Sequence, residues 1–168
     1  MAVSQQSHTK TSWAPRVAAI DLFSGGGGMT LGAKDAGIDV LFAVERCPAA
    51  AATYRQNFPN IELYVGDIRD VSSLPKPPPG TKTIVFGGPP CQGFSTSNQR
   101  TRNADNQDNW MYRELIRVAV IWKPDWIVIE NVKGIRETLG GFFLREIETN
   151  LRSVGYTTTT TSPDIART

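Results

Sequence analysis

Histidine is nearly absent from this chain. The 168 residues contain one, His8, in a polar N-terminal stretch, so histidine acid–base chemistry has no obvious carrier. Cysteine is almost as scarce. Cys47 and Cys91 make no disulfide framework, and no Cys/His cluster has the spacing of a zinc site. An excess of either charge is missing too: the formal net charge is +2, too small for a strong basic field toward nucleic acid. No apolar run is long enough to span a membrane, and no signal peptide is recognisable. The expectation is an intracellular protein with reduced thiols. At 40% hydrophobic and 20% charged residues, the chain can bury one core and form one domain.

What is present is a repeated arrangement of apolar runs followed by glycine or acid. Residues 1–15 are rich in Ser, Gln and Thr without periodicity and read as a flexible leader, with order expected over 16–168. Val17 to Phe23 reads as a strand, followed by Ser24, the glycines Gly25 to Gly28, and a helix ending near Gly37. Strand, glycine loop and helix make a turn that lets backbone N–H groups approach a ligand closely. Val40 to Val44 reads as a second strand ending in Glu45. An acid ~20 residues past the glycines is placed to accept from ribose hydroxyls. A helix from Cys47 to Asn57 and a short strand from Ile61 to Val65 follow. That strand ends at Gly66-Asp67-Ile68, again with an acid at the carboxyl end, where open α/β sheets bind ligands.

Thr83 to Phe86 reads as a central buried strand running into Gly87-Gly88-Pro89-Pro90-Cys91-Gln92-Gly93-Phe94-Ser95. Two prolines stiffen the backbone and remove N–H donors directly before a cysteine. A cysteine held this way at a strand end suits a nucleophile acting from a fixed point. Thr96 to Asn109 is a long polar loop, of the kind usually functional or disordered. Trp110 to Trp122 is helical in period. Asp125 to Ile129 is a strand entering Glu130-Asn131-Val132, and Phe142 to Val154 is an amphipathic helix ended by Gly155. Tyr156 to Thr161, rich in threonine, reads as the start of a last strand. A sheet ending there would leave an exposed edge. The alternation of strands and helices makes the fold class α/β.

Asp21-Leu22-Phe23-Ser24-Gly25-Gly26-Gly27-Gly28, Glu45, Gly66-Asp67-Ile68, Gly87 to Ser95 and Glu130-Asn131-Val132 resemble, in order and spacing, successive motifs of the DNA cytosine-5 methyltransferases. The resemblance covers roughly Val17 to Tyr156. It implies a Rossmann-like doubly wound, mostly parallel sheet, incomplete at its C-terminal side, and an S-adenosyl-L-methionine cofactor, with Cys91 adding to the cytosine ring and Glu130 binding its ring nitrogen and exocyclic amine. Asn131 would hold the local backbone. Phe23 would pack on the cofactor, with Ser24, Gly25 and Gly26 approaching it through backbone. Glu45 would bind the ribose, Asp67 the adenine amine, Ile68 would wall the purine, and Pro89 would border the reacting methyl. Arg46 stands where the family often has an aromatic, so adenine stacking there would be weaker or guanidinium-mediated.

The implied substrate is double-stranded DNA with the target cytosine flipped out. The family continues with a Gln-x-Arg-x-Arg segment, a target-recognition region and a final cofactor motif, which this sequence does not contain. The expectation is a partial catalytic domain of a DNA-associated intracellular enzyme, either completed by a second protein chain carrying the recognition region or a fragment of a longer chain. Two other readings stand beside it: an inactive cofactor- or partner-binding relative, and an RNA cytosine methyltransferase. A plain dinucleotide-binding oxidoreductase domain fits the glycines and Glu45. It leaves Cys91 and Glu130 without roles, and the loop lacks a clear G-x-G-x-x-G.

Overall fold

The computed structural model describes residues 16–90, 110–136 and 138–161. Five strands form one sheet: β1 (Val17–Leu22), β2 (Asp39–Glu45), β3 (Glu62–Val65), β4 (Lys82–Gly87) and β5 (Trp126–Ile129). Their order is β3-β2-β1-β4-β5, and every neighbouring pair is parallel. Three helices join successive strands, α1 (Gly28–Asp35), α2 (Pro48–Asn57) and α3 (Tyr112–Trp122), and a fourth, α4 (Phe142–Ser153), follows β5. The chain winds outward from β1 to β3, returns to β4 on the other side of β1, and continues to β5. That reversal makes the carboxyl ends of β1 and β4 the topological switch point, where doubly wound sheets open a crevice.

Both faces of the sheet are clothed, which is why its strands read as nearly continuous apolar runs. On one face α1 and α2 pack through Ala33, Tyr54 and Phe58 against Ala19, Val40, Ala43 and Phe86. On the other, Leu115 and Val118 of α3 pack against Ile20, Leu22, Phe42, Val44 and Val85. The parallel register of β1 and β2 slips between Ala19 and Ile20. That slip lets Val40 face α1 while Phe42 and Val44 face α3. Helix α4 lies outside α3, with Phe143, Ile147 and Leu151 against Tyr112 and Ile116.

The strand expected at Tyr156 to Thr161 does not form. After Gly155, whose φ is +96°, the backbone from Tyr156 to Thr161 carries no regular structure. The Tyr156 hydroxyl donates to the Pro124 carbonyl at 2.8 Å, which fixes the segment across the end of α3. Arg152 donates to the Thr158 hydroxyl at 2.6 Å, and the Thr160 hydroxyl donates to Glu148 at 2.8 Å. Threonine hydroxyls that find partners on a neighbouring helix compete with the sheet ladder despite their β-propensity. The edge of the sheet is therefore β5. Its outward side is unpaired among the described residues, with Trp126 51% and Val128 48% exposed.

Candidate active site

The crevice at the switch point is bounded by the ends of four strands, β1 to β4. Phe23 and Val44 close one side, Glu45 and Arg46 rim it from β2, and Gly66, Asp67 and Ile68 follow β3. Gly88 and Pro90, just beyond β4, and Met111, just before α3, complete the lining. Of the residues singled out from sequence, Phe23, Glu45, Arg46, Asp67 and Ile68 are thus brought together. Ser24, Gly25, Gly26 and Pro89 do not line the pocket. Met111, Val44, Gly66, Gly88 and Pro90 were not singled out as cofactor contacts. Gly66, Gly88 and Pro90 do lie within the motifs quoted from sequence, and Met111 stands at the start of a helical period.

Phe23 sits with φ +61°, a left-handed conformation that costs a non-glycine residue roughly 1–2 kcal/mol. The turn is held by Ser24, whose N–H donates to the Val44 carbonyl at 3.0 Å and whose hydroxyl donates to the same oxygen at 3.3 Å. Ser24 is buried, so its part is to tie the end of β1 to β2 and aim the Phe23 ring into the crevice. Gly25 donates its N–H to Glu45 Oε2 at 2.7 Å, while Glu45 Oε1 accepts from the Cys47 N–H at 2.6 Å. One carboxylate therefore staples the glycine loop to the start of α2. A carboxylate has about four acceptor positions, so two remain for ligand hydroxyls.

Asp67 is more fully engaged. Its Oδ1 accepts from the Arg69 N–H and Nε, both at 2.9 Å, and its Oδ2 accepts from Arg69 Nη2 at 2.6 Å. The guanidinium beside it holds this carboxyl down at about 2, so it stays an acceptor throughout the physiological range. Spare acceptor capacity remains on Oδ2 for one amine.

The β4 side is built on close backbone approach. A Cβ at Gly87 would lie 2.1 Å from the Leu22 carbonyl oxygen, so only glycine lets β1 and β4 run this near at the switch point. Glu130 follows β5, and its N–H donates to the Gly87 carbonyl at 3.0 Å. A Cβ at Gly88 would stand 3.0 Å from Glu130 Oε2, so the carboxylate occupies the space that Gly88 leaves. Pro89 is buried, and Asn131 Nδ2 donates to its carbonyl at 3.5 Å while Asn131 Oδ1 accepts from the Val132 N–H at 2.9 Å. Asn131 is thereby a backbone holder, and Pro90, not Pro89, faces the pocket. Cys91 and the loop from Thr96 to Asn109 lie outside the described residues. Cys91 is the next residue in sequence after Pro90.

Beneath the glycine loop, Asp21 is wholly buried. Thr30 of α1 donates to its Oδ2 at 2.6 Å, and the Thr30 and Tyr54 hydroxyls are 2.8 Å apart. Because the carboxylate only accepts, Thr30 donates to Asp21 and accepts from Tyr54. Burial, reinforced by the Glu45 charge and opposed by the Thr30 hydrogen bond, pushes the Asp21 carboxyl up to about 7.

Residues 17–164 match the model of the C-5 cytosine-specific DNA methylases. The chain belongs to that family. Among curated methylases, the Type II methyltransferase M1.HphI of Haemophilus parahaemolyticus is 38% identical over 141 residues, 82% of this chain. The Type II methyltransferase M.HgiGI of Herpetosiphon aurantiacus is 34% identical over 119 residues, 70% of this chain and 91% of that protein. A crystal structure of a putative DNA modification methyltransferase encoded within an Escherichia coli prophage shares the fold, with a TM-score of 0.64 and 30% identity. It covers 82% of this chain and 38% of its own. This methylase chain likewise spans only 38% of M1.HphI. Family membership leaves the oxidoreductase reading without support. Among the described residues no group of His, Cys, Asp and Glu could hold a metal ion, and no helix is long and apolar enough to cross a membrane.

Proposed function

We propose that this chain is the cofactor-binding and catalytic part of a DNA cytosine-5 methyltransferase, a partial domain over 16–168 that uses S-adenosyl-L-methionine and acts with a second polypeptide. The observation that carries the reading is the convergence of Phe23, Glu45, Asp67 and Ile68 on one crevice with Gly88 and Pro90, against which Glu130 lies.

The donor set fits the cofactor. Phe23 and Ile68 offer apolar surface to a purine, Glu45 has two free acceptor positions for ribose hydroxyls, and Asp67 has room for one exocyclic amine. Arg46, exposed at the rim, is placed to lie against the adenine face. The cofactor supplies an electrophilic methyl group on a sulfonium. Everything else falls to the chain and its substrate.

Cytosine carbon 5 is too electron-poor to attack unaided. The Cys91 thiolate adds to carbon 6, forming an S–C bond as the C5–C6 double bond opens toward the ring nitrogen. Glu130 hydrogen-bonds that nitrogen and the exocyclic amine, stabilising charge that develops there. Carbon 5, made nucleophilic by the Cys91 addition, would accept the methyl group that the cofactor held by Phe23, Glu45, Asp67 and Ile68 would supply, its positive charge being lost with that group. Loss of the carbon-5 proton to solvent and expulsion of the Cys91 thiolate restore the ring. Since Gly88 and Asn131 set the positions of Glu130 and of the Pro89 carbonyl, they align acid and thiol. The base must leave the duplex to reach them.

A second polypeptide is supported by β5. An open strand edge bearing a half-exposed tryptophan and valine is a surface that proteins normally cover or pair. The low net charge also offers few phosphate contacts. Tritiated methyl transfer to duplex DNA tests the reading, using the purified chain and the chain co-expressed with its gene neighbour. Transfer by the complex alone is expected. Transfer by the chain alone would remove the partner, and transfer by neither would favour a non-catalytic relative. An RNA substrate is the remaining outcome, read by replacing the duplex.

A further inference from the structure

The turn after β3 has little in the sheet to hold it. β3 is an edge strand of four residues, paired only with β2 among the described residues, and its side chains are half-buried or exposed. Yet this turn carries Asp67 and Ile68, both of which line the crevice. Few buried contacts make a segment free to shift locally, so a fixed wall at this place needs a second attachment.

Helix α3 supplies it. Arg117 Nη2 donates to the Ile68 carbonyl at 2.7 Å, across 49 positions of sequence, and the same oxygen accepts from the Val71 N–H at 3.2 Å. Both lone pairs of that oxygen are engaged, one closing the short 3-10 turn Ile68–Asp70 and the other joining it to α3. Arg117 Nε donates to Glu114 Oε2 at 2.6 Å, one turn earlier on the helix, which fixes the plane of the guanidinium. Beside this polar contact, Ile68 and Val71 are buried in one cluster with Leu115 and Val118 of α3. The turn passes the restraint on to Asp67, whose Oδ1 accepts from the Arg69 N–H within it at 2.9 Å. Met111, the cap of α3, lines the crevice as well, so this helix carries one wall and holds another.

We propose that Arg117 is a positioning residue for cofactor recognition: by fastening the turn after β3 to α3, it holds the Asp67 carboxylate at the exocyclic amine of adenine and sets how strictly the crevice selects that base. This role rests on the proposed cofactor. Arg117 touches no ligand and acts through Ile68 and Asp67. The amine contact is the part of base binding most sensitive to such placement, since a hydrogen bond weakens steeply with angle and distance. Packing of the purine ring on Phe23 and Ile68 is non-directional and tolerates a small shift. Loosening the turn therefore costs recognition of the amine before it costs binding of the ring.

Calorimetric titration of the full chain with S-adenosylhomocysteine, and with its analogue bearing an unsubstituted purine in place of adenine, tests this. The two ligands differ only in the amine. Wild type is expected to favour the adenine ligand by roughly tenfold or more, the factor that one hydrogen bond to a charged group carries. Arg117→Ala should bring that preference below about threefold while weakening the purine analogue much less. Arg117→Lys keeps a donor for the Ile68 carbonyl but gives up the planar fork that also reaches Glu114, so part of the preference should return. It also keeps the test decisive if the alanine variant folds poorly. Equal loss of both ligands, or an unchanged preference in both variants, would overturn the role of Arg117 and leave the cofactor assignment standing. A wild type that binds the two ligands equally would withdraw Asp67 from the amine and Arg117 with it. Binding of neither ligand would overturn the cofactor reading as well.

Discussion

Glu45→Ala separates two roles that one carboxylate plays. In the folded chain Glu45 joins the Gly25 N–H at 2.7 Å to the Cys47 N–H at 2.6 Å. Hydrogen bonds to a charged group are worth about 1.5–3 kcal/mol each when shielded from water. The bond to Cys47 is exposed and that to Gly25 is only part-buried, so roughly 1 and 1.5 kcal/mol are reasonable shares. Their loss should cost ~2–3 kcal/mol of stability. At about 2–4 °C per kcal/mol for a domain of this size, the melting temperature should fall by roughly 4–12 °C. Ligand hydroxyls left without an acceptor add ~1–3 kcal/mol to the cost of binding, or fivefold to more than a hundredfold in affinity.

Glu45→Gln divides the effects. Its amide keeps one acceptor but turns the other end into a donor facing a backbone N–H, so it should lose about half the stability. Thermal melts and titration with S-adenosylhomocysteine read the two quantities side by side. An unchanged melting temperature in Glu45→Ala would refute the staple. An unchanged affinity would leave Glu45 as an architectural residue and withdraw it from the cofactor site.

Gly88→Ala should fold normally but slow methyl transfer by the complex on the order of tenfold to a hundredfold, because the new Cβ stands 3.0 Å from Glu130 Oε2 and the carboxylate must shift; an unchanged rate would show that the position of Glu130 is not critical. Asp21 gives the stability of the folded chain a pH signature. Its folded-state value of about 7 lies above the ordinary 3.8, so the folded chain binds an extra proton between those limits. Stability from this group is present at pH 4 and is lost as pH rises through 7, by at most about 4 kcal/mol. Denaturant midpoints of wild type minus those of Asp21→Asn should fall across pH 4–7, and a difference that is level with pH would contradict the burial of that charge.

The parts of this molecule legible in sequence are those where local pattern and tertiary position agree. β1, β2 and β4 are apolar runs ended by glycine or acid, and a sheet buried on both faces makes such runs unmistakable. Helix α2 announces itself with Pro48 in its first turn after Cys47, and α1 and α4 end just before Gly37 and Gly155 at positive φ. What was not legible depends on partners distant in sequence. Asp21 looks like any acid near a strand end until Thr30 and Tyr54 close over it from two helices. Glu45 could be placed as a ribose ligand, but its grip on Gly25 and Cys47 appears only once β2 and the loop are assembled. Asp67 carries its own arginine two residues on, a pair that sequence cannot distinguish from two solvated charges. The threonines after Tyr156 favour strands by type, yet Glu148 and Arg152 capture their hydroxyls.

The central claim is that Cys91 attacks cytosine from the end of β4 with Glu130 beside it. It is tested most directly by incubating the chain and its partner with S-adenosylmethionine and duplex DNA containing 5-fluorocytosine at the target position. The fluorine replaces the proton that must leave carbon 5, so the adduct cannot resolve. The account predicts a denaturant-resistant protein–DNA species whose mass includes one added methyl group and whose peptide linkage maps to Cys91, absent from Cys91→Ser and weakened in Glu130→Gln. A Cys91→Ser protein that still forms the species, or a linkage mapping elsewhere, would contradict it.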